Sequence, residues 1–344
     1  MSFEYIQELP SPKEIQNEIP MSAALRELKA ARDKAITAVL TGKGSRFLLI
    51  IGPCSADNED AVCEYVSRLA KVNENVKDKL ILIPRVYTNK PRTTGEGYKG
   101  IASQPDPEGK PDMMAGLVAM RKMHIHAIEV SGLTAADEML YPDNWGYVED
   151  ILSYVAIGAR SVEDQQHRLT VSGFDVASGM KNPTSGDLSV MLNSVYAAQH
   201  SHYFTHRGWA VKTSGNPLAH TVLRGSVNAY GRSFPNYHYE DLMHLYELYQ
   251  ERDLVNPACI IDTNHNNSGK QFRQQVRIAK EILRSRQQSP EIHDLVKGLM
   301  IESYLVEGCQ KIGEGTHVYG KSITDACLGW DDTERLIYDI AESC

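Results

Sequence analysis

The chain lacks any apolar run approaching the roughly 18 residues that a helical membrane span needs, so no such span is expected. It also lacks paired CxxC motifs. Its six cysteines (Cys54, Cys63, Cys259, Cys309, Cys327, Cys344) are scattered and read as reduced thiols of a cytosolic protein, one or two of them candidate ligands. Positive charge is not in excess: 36 Lys and Arg stand against 44 Asp and Glu, a net charge of −8, which argues against nucleic acid as the main partner. The first residues, MSFEYIQELPSPKEIQ, carry acids and no apolar stretch of the secretory kind, and the expected location is the cytoplasm. No internal repeat, low-complexity segment or G-x-G-x-x-G turn is present.

What is present is ample core material, with 42% hydrophobic and 23% charged residues over 344 positions. Residues 1–20 are polar, with Pro10, Pro12 and Pro20, and read as an arm. A helix is expected from Ser22, a candidate N-cap, with Leu25, Leu28, Ile36 and Leu40 near one face and Gly42 as its stop. Residues 1–45 are therefore expected to form an arm and helix that contact a second subunit or cover the floor of the main fold. Residues 46–344 are expected to form the catalytic domain.

Strand signals then recur, separated by amphipathic stretches. They fall at 47–52, 80–86, 127–131, 154–158, 174–181, somewhere within 202–212, 258–262 and 298–302. The intervening helical patterns include 59–72, 114–123, 188–200, 239–251 and 271–286. Eight strands alternating with helices predict a parallel sheet, and eight closes a (β/α)8 TIM barrel. A doubly wound open sheet is the rival, and its glycine-rich phosphate turn is missing.

In such barrels chemistry sits on the loops at the carboxyl ends of the strands. Those positions hold Gly52-Pro53-Cys54-Ser55, then Arg85 with Lys90-Pro91-Arg92-Thr93-Thr94, then Glu138, Ala159-Arg160 and Lys181-Asn182. Further on come Thr213-Ser214-Gly215-Asn216 with Arg224, then Asp262 with His265, and Glu302 with Asp325. Arg85, Lys90, Arg92, Arg160, Lys181 and Arg224 form a set of cations suited to phosphates and a carboxylate. Cys54, His265, Glu302 and Asp325 form a mixed S, N, O set suited to one divalent metal, without selecting which. A lone cysteine or histidine is more often a buried structural group, and scattered Arg and Lys are mostly solvated. What favours a site is that nearly every strand delivers one reactive group at the same end.

At these residues the sequence resembles the 3-deoxy-D-arabino-heptulosonate 7-phosphate (DAHP) synthases, in the type I group without an appended regulatory domain. The matching motifs are IGPCS (51–55), RVY with KPRTT (85–94), IGAR (157–160), KNPTSG (181–186), TSGN (213–216), LRG (223–225), DTNHNNSGKQF (262–272), ESYLVEG (302–308) and GKSITDACLGW (320–330). They run in order through almost the whole chain.

The resemblance implies a metal-dependent (β/α)8 transferase condensing phosphoenolpyruvate with erythrose 4-phosphate, the opening step of the shikimate pathway to aromatic amino acids. It implies Cys54, His265, Glu302 and Asp325 as ligands of one divalent ion (Mn2+, Fe2+, Zn2+ or Co2+). Arg85, Lys90, Ala159, Arg160, Lys181 and Arg224 would hold phosphoenolpyruvate, with Glu138 near its reacting carbon, and Arg92 and Thr93 would hold erythrose 4-phosphate. Lys90, Cys54, His265 and Glu138 would carry catalysis, with Lys90 protonating the aldehyde oxygen. A homodimer or homotetramer is expected.

Departures from the family pattern are Asn89 in place of an acid before KPRTT and Tyr304 in place of a common histidine. The segment 204–213 looks shorter and 227–239 longer. In relatives the shortened region helps form the pocket for an inhibitory aromatic amino acid, so feedback control and its effector stay open. Two alternatives stand beside this reading: a 3-deoxy-D-manno-octulosonate 8-phosphate synthase using arabinose 5-phosphate, and a non-catalytic regulatory relative. The KPRTT sequence, and metal and lysine positions that are all retained, favour the first reading.

Overall fold

A computed structural model describes residues 2–344. Eight parallel strands form the centre: β1 (Phe47–Gly52), β2 (Leu80–Pro84), β3 (Ala136–Glu138), β4 (Tyr154–Ile157), β5 (Ala177–Lys181), β6 (Ala219–Leu223), β7 (Cys259–Asp262) and β8 (Val296–Glu302). Their order is β2-β1-β8-β7-β6-β5-β4-β3. A parallel bridge between Arg85 and Ala136 joins the two ends and closes the barrel. This is the expected TIM barrel.

The strands read as unbroken apolar runs because both of their faces are covered. Leu48, Ile50, Ile81, Ile83, Ala156, Val222, Ile260 and Met300 form one buried cluster inside the barrel. Their neighbours Leu49, Ile51, Leu80, Leu82, Val155, Ile261, Leu299 and Ile301 pack in the larger cluster beneath the helices. Each such side chain contributes roughly 1.5–3 kcal/mol on removal from water.

Ahead of the barrel lie α1 (Pro12–Glu18) and α2 (Ala23–Leu40). Ser22 caps α2 by accepting from Leu25 N at 3.3 Å, and Gly42 follows its end with φ 70°. Ile36, Val39 and Leu40 of α2 belong to the barrel's interior cluster, so this helix covers the floor. The arm is more structured than expected. A Ser11–Glu14 capping box starts α1, and Ile15 is fully buried.

The outer helices are α3 (Glu59–Val76), α4 (Met113–Ser131), α5 (Gln165–Val171), α6 (Leu188–Gln199), α7 (Tyr239–Gln250), α8 (Gln274–Gln288), α9 (Pro290–Leu295) and α10 (Trp330–Ser343). None of the described helices is long and apolar enough to cross a membrane.

Two strands differ from expectation. Residues 127–131 are the last turn of α4, since burial of Leu117, Met120, His124 and Ile128 continues one helical face through them. The third strand is Ala136–Glu138, too short and acidic to announce itself. The sixth is Ala219–Leu223, while Tyr203–His206 and Trp209–Lys212 form an antiparallel hairpin outside the barrel. The hairpin's alternation resembles a strand signal, whereas β6 hides behind polar His220 and Thr221. His220 is buried because Tyr154 Oη and Leu218 O, each at 2.8 Å, satisfy its ring nitrogens.

Arg121, wholly buried, ties the amino-terminal segment to the barrel. It donates to Ile19 O (2.7 Å), Tyr147 O (2.9 Å) and both oxygens of Asp150 (2.7 and 2.9 Å). Arg121→Ala is expected to lower stability by about 2–3 kcal/mol, read from urea unfolding. A loss below about 0.5 kcal/mol would show that this anchor is dispensable.

Candidate active site

The carboxyl ends of the strands surround a cavity of about 450 Å³. Lys90, Arg92, Glu138, Ala159, Arg160, Lys181, Arg224, His265 and Asp325 line it, which brings together nine of the expected site residues. Cys54, Arg85 and Glu302 are buried beside it, reached through Lys90 and Asp325. Thr93 is exposed in its loop and does not line the cavity.

Glu302 ends β8 and is 1% exposed. Arg85, one residue past β2, donates to Glu302 Oε1 at 3.0 Å, and Asn264 donates to Oε2 at 2.6 Å. Gln275 pins the Glu302 backbone from both sides, accepting from its N–H and donating to its carbonyl, each at 2.9 Å. Burial works to raise this carboxyl, but the neighbouring His265 and Arg85 hold it below the usual range. Arg85 Nη1 is buried without a partner among the described residues, a donor left for an anion.

Cys54, Glu302 and Asp325 present ligand atoms that all lie within 4.8 Å of one another. A thiol after β1, a carboxylate at the end of β8 and a second carboxylate further along the chain are a fitting donor set for a divalent metal. Burial raises the Cys54 thiol, and the Glu302 charge adds to that, with Lys90 opposing. Lys90 donates to Cys54 O at 2.8 Å and stands 3.0 Å from its Sγ. Burial disfavours its charge, but Cys54, Glu302 and Glu138 raise its pKa overall.

His265 is outside that group of three. Its backbone takes the left-handed region at φ 44°, uncommon for a non-glycine residue, and Nδ1 lies 2.8 Å from Asp262 Oδ2 without completing an aligned hydrogen bond. Asp262 also receives Lys181 Nζ at 3.1 Å. Burial opposes the Asp262 charge, yet His265 and Lys181 hold the carboxyl well below its ordinary value.

Several contributors carry no single-residue signal. Asp262 ends β7 and anchors Lys181. Asn182 Oδ1 accepts from Arg224 N at 2.9 Å, and Asn266 Oδ1 accepts from the Arg224 guanidinium. Lys270 lines the cavity and pairs with Asp325 at 3.3 Å. Burial and the neighbouring Arg160 lower the Arg224 pKa. The available signal was the run DTNHNN, six polar residues that begin at the last residue of an apolar strand.

A model of the DAHP synthetase I family matches residues 19–337, and the chain belongs to that family. It is 37% identical over 341 residues to the Trp-sensitive phospho-2-dehydro-3-deoxyheptonate aldolase of Enterobacter agglomerans, covering 97% of this chain and 94% of that protein. The Phe-sensitive enzyme of that name from Escherichia coli K12 is 37% identical over 345 residues, covering 98% and 95%. The solved phospho-2-dehydro-3-deoxyheptonate aldolase of Francisella tularensis SCHU S4 superposes with a TM-score of 0.92 at 30% identity, over 99% of this chain and 98% of that one.

Gly158 lies against Glu138, and a Cβ there would collide with Glu138 Oε1. The carboxylate is the free end of a flexible side chain, so it can swing aside at little cost in stability. Gly158→Ala is expected to cut turnover roughly 10- to 100-fold by moving Glu138. Melting is expected to stay within about 1 kcal/mol of the parent. Unchanged turnover would show that Glu138 need not occupy this position.

Proposed function

We propose that the chain condenses phosphoenolpyruvate with D-erythrose 4-phosphate and water to give DAHP and phosphate. The observation that supports it is one cavity in which Lys90, Arg92, Arg160, Lys181, Arg224 and Lys270 converge beside Cys54, Glu302 and Asp325. Six cations so close suit two phosphorylated substrates, one of them also a carboxylate.

Cys54, Glu302 and Asp325 would hold the divalent metal, with His265 as the fourth ligand. Once bound, such an ion would supply Lewis-acid polarisation of the aldehyde oxygen. Arg85, Lys90, Ala159, Arg160, Lys181 and Arg224 hold phosphoenolpyruvate and spread its charge, with the free Arg85 Nη1 as a buried donor. Arg92 holds the erythrose 4-phosphate phosphate; Thr93, next to it in the loop but outside the cavity, would have to move inward to share that role. Arg92 Nε is already committed to Tyr98 O at 2.7 Å, which leaves its terminal nitrogens for the ligand. Lys90 delivers a proton to the aldehyde oxygen as C3 of phosphoenolpyruvate forms the new bond to the aldehyde carbon. Water adds at C2, and phosphate leaves by C–O cleavage. Glu138 sits near the reacting carbon.

Purified protein with added divalent metal is expected to consume phosphoenolpyruvate with erythrose 4-phosphate and not with arabinose 5-phosphate. The reverse preference would overturn the proposal. A chelator is expected to abolish turnover and added metal to restore it. The same assay with phenylalanine, tyrosine or tryptophan present shows whether any of them inhibits the enzyme, and which.

The amino-terminal segment serves as an oligomer contact in this proposal. Phe3, Tyr5 and Ile6 are 81%, 93% and 82% exposed, apolar surface that a second copy would cover. Removing residues 2–10 is expected to reduce the assembly's mass in sedimentation velocity, and an unchanged mass would count against this contact.

A further inference from the structure

The seam that closes the barrel is its thinnest pairing. β2 and β3 share one bridge, Arg85 with Ala136, and one bond from Val86 N–H to Ala136 O at 2.9 Å. Every other neighbouring pair runs a ladder of several residues. Past the bridge the backbone after β2 turns to another partner. Thr88 O accepts from Ala102 N–H at 3.1 Å, and Lys90 N–H donates to Lys99 O at 3.0 Å. The chain segments carrying Lys90 and Glu138 therefore have no backbone pairing between them at the height of the cavity.

A side chain takes over there. Asp137, the middle residue of β3, is 3% exposed. Its Oδ1 accepts from Thr88 N–H at 2.9 Å and from Glu138 N–H at 2.7 Å. Its Oδ2 accepts from the Thr88 hydroxyl and lies 3.1 Å from His124 Nε2 of α4. His124 is fully buried and its Nδ1 has no partner among the described residues, which places the ring proton on Nε2, facing the carboxylate. One carboxylate thus collects four donors, two of them backbone amides on opposite sides of the seam. Thr88 is two residues from Lys90, and Asp137 adjoins Glu138.

We propose that Asp137, supported by His124, is a positioning residue that sets the distance between Lys90 and Glu138 across the open seam. The proposal rests on the functional reading above, in which those two groups face phosphoenolpyruvate. It requires hydrogen-bond acceptance at this point and not negative charge. An asparagine can accept both backbone amides through its oxygen. Its Nδ2 can donate to Thr88 Oγ1, while the His124 contact is given up, since a proton moved to Nδ1 would be a buried unpaired N–H. An alanine leaves all four donors unpaired.

The test compares Asp137→Ala and Asp137→Asn with the parent by steady-state kinetics and by hydrogen–deuterium exchange over residues 86–91. Asp137→Ala is expected to lose about tenfold or more in kcat/KM for phosphoenolpyruvate. Exchange in that segment is expected to rise about fivefold or more. Asp137→Asn is expected to stay within about threefold of the parent on both measures, since both backbone-amide bonds that span the seam persist. Overturning results are an alanine variant with parental kinetics and exchange, or an asparagine variant as impaired as the alanine one. If Asp137→Ala does not fold, Thr88→Val removes one arm of the contact. It is expected to lower kcat/KM by about threefold or more, and parental values would overturn the proposal. If the parent itself fails to turn over the two substrates, the functional reading falls, while the exchange measurement still decides whether Asp137 closes the seam.

Discussion

The burial of the Glu302 carboxylate is the constraint on which the site depends. A charge removed from water must be met by donors at fixed positions, or it neutralises. Here those donors come from elements far apart in sequence: Arg85 after β2, Asn264 after β7 and Gln275 in α8. They reach Glu302 because β2, β1, β8 and β7 lie side by side with their ends correctly staggered. The same contacts place Arg85 beside Cys54 and Lys90, so the geometry of the cation set and of the thiol and carboxylate group is decided together.

The cavity above is built in the opposite sense. Six cations face one space, with Glu138 and Asp325 as the acids on its lining. Such an arrangement costs stability in the absence of anions, and several of the cations are tethered by protein groups. Lys181 is held by Asp262, Lys90 by the Cys54 carbonyl, and Arg92 by Tyr98 O. Groups fixed in this way need little reorganisation to meet an anion, which is the physical basis of electrostatic preorganisation. The left-handed backbone at His265 and Lys270 lies in the same loop cluster, where strain is tolerated for function.

Much of the fold was legible because a covered parallel sheet leaves unmistakable apolar runs, as at Phe47–Gly52 and Leu80–Pro84. Ala136–Glu138 was not, because three residues with two acids carry no periodicity. β6 was missed for a related reason. The pairing of His220 with Tyr154 makes a polar residue acceptable inside the barrel, and that partner lies 66 positions away. The hairpin at 203–212 drew the strand signal instead, since alternation alone does not say which sheet a strand will join.

By itself the sequence determined the fold class, the family resemblance and the reactive residue types at the strand ends. All of these depend on local pattern or on motifs a few residues long. Only the tertiary structure decided which groups meet. It drew Cys54, Glu302 and Asp325 together, set His265 against Asp262, left Thr93 outside the cavity, and placed Asp137 across the seam. Those outcomes depend on strand order and side-chain direction at a closed barrel's rim. Distances between residues more than 200 positions apart are settled there by packing, and no short stretch of sequence encodes them.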